Sequence, residues 1–386
     1  MENKRHNCIL CGGSFFEKPL MICYNVPKSA QDIPDKTQIP GDKDITLRLY
    51  QCKYCGLVQF NTDAVWYYKD VIRAGGYSST MHELRMEQYN RFINSCGLNG
   101  KKIIEAGCGR GEFLKMLEAF DVEAYGIEHS SENIRIAEAN GLNVFRCFAK
   151  NEETNIPGAP YDAFLSFNFL EHLPDPNGYL KCIYNNLNYN AYGLITVPSL
   201  EYIIENDCFY ELIHDHIAYY TENTLRYCLE KNGFCIQECE RVNRDTISAT
   251  VKKKQRMSVK NLIENRNKLR YKINSYIDNI NEKGGKAAIW GASHQGFTVA
   301  STMGIEKKIA YIIDSAPFKQ GRYAPASHIP IVAPDFFFKE PVAAIIIIAP
   351  GYTNEIKEII RSKFGKDVKI AELRSNDLEM EHACHE

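Results

Sequence analysis

The feature of this sequence that most constrains its fold is a glycine-rich turn, EAGCGRG at residues 105–111, which lies between an apolar run and a helical run. The run before it, KIIE at 102–105, predicts a short buried strand, and the run at 112–120 predicts a helix. Three alternating glycines allow the backbone to turn tightly into the helix and to approach a ligand closely. The segment therefore predicts the first strand, turn and helix of a nucleotide-binding type of α/β domain.

Strands and helices continue to alternate after this turn. Apolar runs at 124–128, 161–167 and 193–197 predict further strands, and residues 131–140 predict a helix between the first two of them. Such alternation is typical of a parallel sheet with helices on both faces, so we predict an α/β protein with a doubly wound sheet. Glu128 ends the second strand, where a carboxylate can accept hydrogen bonds from ribose hydroxyl groups.

An acidic residue, Glu105, precedes the three glycines, and the strand at 161–167 runs into the loop NFLEHLPDP at 168–176. Both features resemble the class I S-adenosylmethionine (SAM) methyltransferases, in which the acid lies near the methionine ammonium group and the loop surrounds the reacting methyl group. A sulfonium cation requires electron-rich or aromatic walls, whereas a dinucleotide requires a phosphate site, so we expect SAM in preference to NAD. The predicted cofactor-binding residues are Glu105, Gly107, Gly109, Gly111, Glu128, Asn168 and Leu170.

Four of the fourteen cysteines form two C-x-x-C pairs, and each pair is followed by glycine. A tight turn of this type supplies two thiolates to a zinc tetrahedron, and two such turns complete a four-cysteine site. A redox-active C-x-x-C motif is the alternative, but that motif predicts a single pair beside a βαβ unit. We therefore predict an N-terminal module with a structural Zn²⁺ bound by Cys8, Cys11, Cys52 and Cys55.

Composition limits the partners of the protein. Its 386 residues include 46 lysines and arginines against 48 acidic residues, and this net charge of −2 disfavours a nucleic-acid or anionic-membrane binder. No apolar run reaches the ~20 residues of a membrane-spanning helix, and residues 1–10 lack the apolar core of a signal peptide. We expect a cytoplasmic protein with neither a nucleic-acid nor a membrane partner, whose other cysteines stay reduced.

A second α/β region follows in the C-terminal third of the chain. Residues 257–282 predict a helix that bridges two domains, and the turn WGASHQG at 290–296 lies between an apolar strand and a helix. This turn lacks the middle glycine that allows a backbone to contact a pyrophosphate, so it is a weak dinucleotide site. We predict a zinc-binding module at 1–66, a methyltransferase domain at 67–250, and the helix with a Rossmann-like domain at 251–386.

The order of these motifs resembles the three-domain sugar C-methyltransferases that act on nucleotide-linked keto-deoxy sugars. The matching segments are CKYCGLVQ at 52–59, YSSTM at 77–81, HDHIAYYT at 214–221 and DSAPFKQGRYAPASHIPI at 314–331. The resemblance implies SAM chemistry in the central domain and binding of the nucleotide diphosphate by the C-terminal domain. We therefore expect a nucleotide-diphosphate sugar as the substrate, contacted by Ser293, His294, Lys319 and Arg322.

Transfer of a methyl group to carbon requires a carbanion equivalent, which a ketone supplies when a base removes the neighbouring proton. The protein must provide that base, a group that stabilises the enolate oxygen, and alignment of the reacting atoms. Histidine is suited to both proton transfer and polarisation because its pKa lies near neutrality.

In the resembled family, a Tyr-x-Glu-His pattern ends on a histidine that is a candidate base, and this pattern falls on residues 213–216. The resemblance thus implies His216 as the base, with Asp215 at the acidic position and Ile213 in place of the aromatic residue. We expect the Asp215 carboxylate to set the tautomer or basicity of the histidines beside it. The predicted catalytic residues are His216, Asp215, His214, His172, which would polarise the enolate oxygen, and Tyr77, which would close over the methyl donor.

Three other functions remain open at this point. The same fold could methylate oxygen or nitrogen of a related sugar nucleotide, and Ile213 is the departure that suggests it. An NAD(P)-linked oxidoreductase could use the second glycine turn, and a zinc-binding adaptor could use the cysteine pairs alone. The nucleotide, the methylated atom, its stereochemistry and the oligomeric state do not follow from the sequence.

Overall fold

The structure is a computed structural model that describes residues 5–69 and 79–381. The chain forms two compact units, which divide between Arg256 and Met257. Among the helices of the described residues, none combines the length and the apolar character needed to span a membrane. The predicted domain limits within each unit stay predictions.

The first unit contains mixed α/β structure throughout. Its strands are β1 (Met21–Val26), β2 (Ile45–Gln51), β3 (Val58–Phe60), β4 (Lys101–Ala106), β5 (Val122–Glu128), β6 (Val144–Arg146), β7 (Tyr161–Phe167), β8 (Leu187–Pro198), β9 (Ala218–Tyr219), β10 (Phe234–Val242) and β11 (Thr246–Lys253). Its α-helices are α1 (Ser79–Cys96), α2 (Glu112–Met116), α3 (Ser131–Ala139), α4 (Pro176–Asn185), α5 (Leu200–Glu205) and α6 (Glu222–Lys231).

Seven of these strands form the central sheet, in the order β10-β11-β8-β7-β4-β5-β6. Strands β4 to β8 run parallel to one another, whereas β11 runs antiparallel to both β8 and β10. The chain winds from β4 through β5 to β6 in one direction and then from β7 to β8 in the other. The prediction of a doubly wound α/β sheet is therefore confirmed.

Alternation along the central strands builds two cores, one on each face of the sheet. Ile103 and Leu165 pack with Tyr89 of α1 on one face, and Ile104 and Phe164 pack in the cluster on the other face. Each of these side chains is almost fully buried. Strands covered on both faces require apolar side chains at successive positions, which Ile103 and Ile104 provide in β4 and Phe164 and Leu165 in β7.

The helix after the first glycine turn is shorter than predicted. Helix α2 ends at Met116 and a 3-10 turn continues over Leu117–Ala119, whereas the sequence predicted a helix over 112–120. The chain must reverse before β5 begins at Val122, and the tighter 3-10 turn shortens the connection.

An antiparallel sheet, in the order β1-β2-β3-β9, contains the N-terminal strands. Its last strand comes from much later in the chain, since Val58 pairs with Tyr219 and Gln59 with Ala218. The two cysteine turns adjoin this sheet, and Cys8 and Cys52 are buried in the same core as Ile104 of the central sheet. Strand β3 of the N-terminal region is thus hydrogen-bonded to the short strand that follows His216.

The second unit is built on a six-stranded sheet in the order β14-β13-β12-β15-β16-β17, in which only β17 is antiparallel to its neighbour among the described strands. Its first helix, predicted over 257–282, begins at Lys260 and buries Ile273, Ile277 and Ile280 in the core of this unit. The elements are α7 (Lys260–Glu282), β12 (Ala287–Trp290), α8 (His294–Thr302), β13 (Ile309–Ile313), β14 (Ile331–Val332), β15 (Ala344–Ile347), α9 (Thr353–Ile359), β16 (Lys369–Arg374) and β17 (Asp377–Met380).

Candidate active site

A cavity of about 440 Å³ lies at the carboxyl ends of the central strands, where ligands bind in open α/β sheets. Residues at or directly after the ends of β4, β5, β7 and β8 reach it, and so do residues of the N-terminal region and of α1. The residues that line it include Ala30, Gln31, Arg85, Gly107, Gly109, Glu128, Asn168, Phe169, Glu171, His172, Ile213, Asp215 and His216.

The glycine turn forms one wall of this cavity and depends on the absence of side chains. Gly107 has a φ of +70°, and a Cβ atom there would lie 3.2 Å from the ring of Phe169. Gly111 has a φ of +87°, and a Cβ atom there would lie 2.2 Å from Leu142. Both positions therefore require glycine for two reasons, the left-handed backbone and the close contact.

Glu128 is fixed by backbone donors at the edge of the cavity. Its two carboxylate oxygens accept hydrogen bonds from the amides of Gly109, His129 and Ser130, each at 2.9 Å. A carboxylate offers about four acceptor positions, so roughly one is left for a ligand. The residue can accept one hydroxyl group without rearrangement, rather than the two that the sequence suggested.

The other predicted cofactor residues differ in their access to the cavity. Asn168 lines it, with a φ of +48° and with its side-chain oxygen held by the hydroxyl of Thr196 at 2.9 Å. Glu105 and Leu170 are fully buried and are not among the described residues that line the cavity. The neighbour of Leu170, Phe169, provides the aromatic surface there instead. Whether Glu105 and Leu170 influence a bound cofactor stays a prediction.

Two imidazoles that line the cavity are in contact with each other. The rings of His172 and His216 lie edge to face with their centroids 4.8 Å apart. His172 is in the 3-10 turn after β7, and His216 immediately precedes the segment that enters β9. A backbone hydrogen bond of 2.9 Å from the amide of Ile217 to the carbonyl of Glu171 joins the two segments.

Burial keeps both imidazoles neutral near physiological pH. Burial lowers the pKa of His172 from its ordinary value of 6.5. Burial, and to a lesser extent the neighbouring His172, lowers the pKa of His216 to about 3. A neutral imidazole has a free lone pair, which is the form required of a base or of a metal ligand.

Asp215 orients His172 through its backbone and not through its carboxylate. Nδ1 of His172 lies 2.7 Å from the carbonyl oxygen of Asp215, so Nδ1 carries the proton and Nε2 has the lone pair. The carboxylate accepts hydrogen bonds from the hydroxyl of Tyr67 at 2.6 Å and from the amide of Ala30 at 3.0 Å. The main chain thus sets the tautomer of His172, and the expected effect of the carboxylate on His214 and His216 stays a prediction.

Of the remaining predicted catalytic residues, His214 lies outside this arrangement. Nδ1 of His214 lies 2.7 Å from the carbonyl of Lys28, and His214 is not among the described residues that line the cavity. Tyr77 lies outside the described residues. Ile213 lines the cavity where the resembled family has an aromatic residue, so the wall at that point is aliphatic.

Besides Phe169 and Glu171, sequence reasoning missed Arg85 and Tyr67. Arg85 is 2% exposed, and its guanidinium carbon lies 3.5 Å from the ring centroid of Phe167 while the residue lines the cavity. Nothing in the sequence of α1 marks this arginine as buried, because helical spacing there is weak. Tyr67, which connects Asp215 to Ser29, carries no motif either; its role follows only from the tertiary contacts.

The four predicted zinc ligands converge on one point. Their Sγ atoms all lie within 4.8 Å of one another, with Cys8–Cys55 at 3.5 Å and Cys11–Cys52 at 3.3 Å. A tetrahedral zinc with ~2.3 Å bonds needs sulfur atoms roughly 3.8 Å apart, so the arrangement fits.

Each cysteine turn also has the backbone features of a metal knuckle. Backbone amides of Leu10, Gly13 and Tyr54 donate to the sulfurs of Cys8, Cys11 and Cys52 at 3.3–3.4 Å. Such hydrogen bonds stabilise thiolates, and the cluster is compatible with a structural zinc ion.

The predicted substrate residues belong to the second unit. Nζ of Lys319 lies 3.0 Å from a carboxylate oxygen of Asp314, which also accepts the amide of Ala292 in the second glycine turn. The side chain of Ser293 accepts the amide of Gly296 and so caps α8. Arg322 and His294 are exposed, and their contact with a substrate stays a prediction.

Two family models match the chain. A methyltransferase domain matches residues 79–238, and a C-methyltransferase C-terminal domain matches residues 237–370. The first match covers β4 to β8 and part of β10, whereas β11 lies in the second match. The order of the central sheet, with the antiparallel β11 between β8 and β10, is that of the class I methyltransferase fold. The predicted fold class is confirmed, and the two matches together are consistent with a C-methyltransferase.

Curated relatives match over the methyltransferase region. The Ubiquinone biosynthesis O-methyltransferase of Chromobacterium violaceum is 25% identical over 142 residues, which are 32% of this chain and 61% of that protein. The protein of the same name from Methylocella silvestris is 30% identical over 89 residues, which are 22% of this chain and 35% of that protein. The chain thus spans less than two thirds of the length of these relatives.

Solved structures show only distant similarity. A SAM-dependent methyltransferase from Archaeoglobus fulgidus has a TM-score of 0.36 and 23% identity, with 45% of this chain and 94% of that chain covered. A second from Clostridium acetobutylicum has a TM-score of 0.38 and 14% identity, with 45% of this chain and 92% of that chain covered. At such TM-scores these similarities carry no argument about this chain.

Proposed function

We propose that this protein is a SAM-dependent C-methyltransferase, and that it methylates the carbon beside the ketone of a nucleotide-linked keto-deoxy sugar. The observation that carries the proposal is the pair of neutral imidazoles, His172 and His216, in the cavity of a methyltransferase domain. The match of the C-terminal region to a C-methyltransferase domain supports transfer to carbon. SAM, when bound, supplies an electrophilic methyl group.

The chain has residues suited to holding that cofactor. The backbone at Gly107 and Gly109 has no side chains that would fill the cradle, and Glu128 has an acceptor position for a ribose hydroxyl group. Phe169 and the other rings beside the cavity provide the aromatic surface that favours a sulfonium cation. The buried guanidinium of Arg85 is suited to an anionic group of the cofactor.

The two histidines would have different roles in the activation of the ketone. His216 accepts the proton from the carbon beside the carbonyl group, because its ring is neutral and lines the cavity. His172 lies beside it with its Nδ1 proton donated to the main-chain carbonyl of Asp215, so its neutral ring offers only an acceptor at Nε2. It can polarise the developing enolate oxygen only when Nε2 is also protonated. The C-terminal unit, with Arg322 and Lys319, binds the nucleotide diphosphate in this proposal.

The proposal is tested with SAM labelled at the methyl group with ¹³C and a panel of dTDP-, GDP- and CDP-linked keto-deoxy sugars. We expect a product whose ¹³C-methyl group is bonded to a ring carbon, which its NMR signal identifies. A methyl signal attached to oxygen or nitrogen would contradict carbon transfer.

Enolate formation is tested separately from methyl transfer. With S-adenosylhomocysteine in place of SAM, deuterium from solvent should enter the carbon beside the ketone. His216→Asn should abolish this exchange, while His6→Asn, which removes an exposed imidazole, should leave it unchanged.

O-methylation is the second candidate, since the curated relatives that match the central region are named O-methyltransferases. An O-methyltransferase would need a base for a hydroxyl group but no enolate. It would therefore give a methyl ether and no deuterium exchange at carbon, which separates the two functions in the same pair of experiments.

A further inference from the structure

A second group of metal-binding side chains lies inside the cavity, apart from the four cysteines. Glu171, His172 and His216 each offer one ligand atom, and the three atoms lie within 4.8 Å of one another. Glu171 is 2% exposed and His172 is 5% exposed, whereas His216 is half-buried where it faces the cavity. Neither the proposed base chemistry nor the cysteine site accounts for the presence of a carboxylate beside both imidazoles.

The hydrogen bonding of His172 prepares it as a ligand. Its Nδ1 proton is donated to the carbonyl oxygen of Asp215 at 2.7 Å, which leaves the lone pair on Nε2. Nε2 lies 3.9 Å from Oε1 of Glu171. Metal-binding histidines commonly donate their second nitrogen to a carbonyl or carboxylate in this way, because the bond fixes both the tautomer and the direction of the ring.

The spacing is close to that of a coordinated ion. Metal–ligand bonds of ~2.1 Å in a tetrahedron place ligand atoms roughly 3.4 Å apart, so small side-chain rotations would close this cluster around an ion. The backbone needs no movement, since the hydrogen bond between Ile217 and Glu171 already holds the two segments together. The open face is the cavity itself, where water or substrate would complete the coordination.

The donor set indicates the class of metal. Two imidazoles and one carboxylate suit borderline divalent ions such as Zn²⁺, Co²⁺, Ni²⁺ and Fe²⁺, whereas Mg²⁺ and Ca²⁺ prefer oxygen ligands. Three protein ligands leave at least one coordination position open, unlike the closed four-cysteine site.

We infer that Glu171, His172 and His216 form a second, transition-metal site, and that its occupancy inhibits the protein. The lone pair of His216 cannot coordinate an ion and accept a proton at the same time, so a bound ion blocks the base. The binding part of this inference stands by itself, whereas the inhibition rests on the proposed function.

Binding is measured with Co²⁺ added to protein that already contains one zinc per chain. We expect one further equivalent to bind and to give visible d–d absorption bands of a nitrogen- and oxygen-coordinated ion, without thiolate charge transfer. Glu171→Gln, His172→Asn and His216→Asn should each weaken this binding at least tenfold, and His6→Asn should not. Binding of S-adenosylhomocysteine by each variant verifies that it is folded, and Co²⁺ affinities equal to that of the wild type would overturn the site.

Inhibition is measured by titrating Co²⁺ or Zn²⁺ into the methyl-transfer and deuterium-exchange assays. Both rates should fall in proportion to occupancy of the site and recover when a chelator removes the ion. Binding with undiminished rates would overturn the inhibitory role. If no sugar nucleotide is methylated but Co²⁺ still binds through these three residues, the proposed function fails and the metal site stands.

Discussion

The carbonyl oxygen of Asp215 lies 2.7 Å from Nδ1 of His172, which is 43 residues earlier in the chain. This contact determines that Nε2 of His172 faces the cavity. The backbone next to His216 therefore orients the ring of His172. The two histidines therefore act as one unit, because a shift of the 213–217 segment would turn both rings.

The base is tested by replacing His216 with Asn. We expect the rate of methyl transfer to fall by roughly 10²–10⁴-fold, the usual contribution of a positioned general base. Affinity for S-adenosylhomocysteine should change little, because the predicted cofactor contacts come from the glycine turn and Glu128. Calorimetric titration and single-turnover rates measure the two quantities, and a fully active variant would exclude His216 as the base.

The pH dependence of stability reports on the burial of His216. Its pKa is about 3 in the folded protein and roughly 6.5 when unfolded, so the unfolded chain binds one more proton between those values. The contribution of His216 to stability is fully present above pH ~6.5. Below that pH the free energy of unfolding should fall by ~1.4 kcal/mol per pH unit.

Denaturant unfolding between pH 7 and pH 4.5 measures this slope. His216→Asn should reduce this slope by the contribution of about one proton. The contribution of His172, whose pKa is also lowered by burial, should remain. Protein with one zinc per chain and no further metal is required, since an ion at His216 would compete with the proton. An unchanged slope in the variant would contradict a neutral imidazole at His216.

The contact between Tyr67 and Asp215 should hold the wall of the cavity. Tyr67→Phe removes a hydrogen bond of 2.6 Å to a buried carboxylate, which should lower the free energy of unfolding by ~1.5–3 kcal/mol. Because the Ala30 segment is held by the same carboxylate, KM should rise more than kcat falls. Tyr24→Phe, an exposed tyrosine in β1, is the matched control. Equal stability of the two variants would show that this contact contributes nothing.

Arg85 should contribute to binding of the methyl donor. Arg85→Met retains much of the volume but removes the charge, and we expect the affinity for S-adenosylhomocysteine to fall about tenfold or more, as for a charge-assisted contact. Arg135→Met, at an exposed position of α3, should have no effect. Titration calorimetry compares the variants, and unaltered affinity in Arg85→Met would assign the arginine to stability alone.

The cysteine cluster should contain one zinc per chain by elemental analysis. Cys52→Ser should release it and lower the melting temperature, because Cys8 and Cys52 lie in the same core as the central sheet. Cys235→Ser, at the exposed cysteine of β10, should retain both zinc and stability. Full zinc content in Cys52→Ser would refute the four-cysteine site.

Much of the fold could be predicted because its signals are local. The glycine turn at 105–111 and the two cysteine turns each specify a conformation within a few residues, and the strands β4 and β7 each contain a short apolar run. The lengths of elements were less predictable: α2 is shortened where the chain must reverse into β5, which depends on the sheet and not on the helix sequence.

The sequence by itself determined the strand–turn–helix order, the glycines that permit a ligand to approach, and the spacing of cysteines that brings thiolates together. The tertiary structure alone decided the arrangement of the chemistry: that Arg85 is buried over Phe167, that the Asp215 carboxylate binds Tyr67, and that Glu171 joins the two histidines. The physical reason is that turns follow from the conformational limits of adjacent residues. The direction of a side chain between distant segments instead follows from packing and from hydrogen bonds that form only when those segments meet.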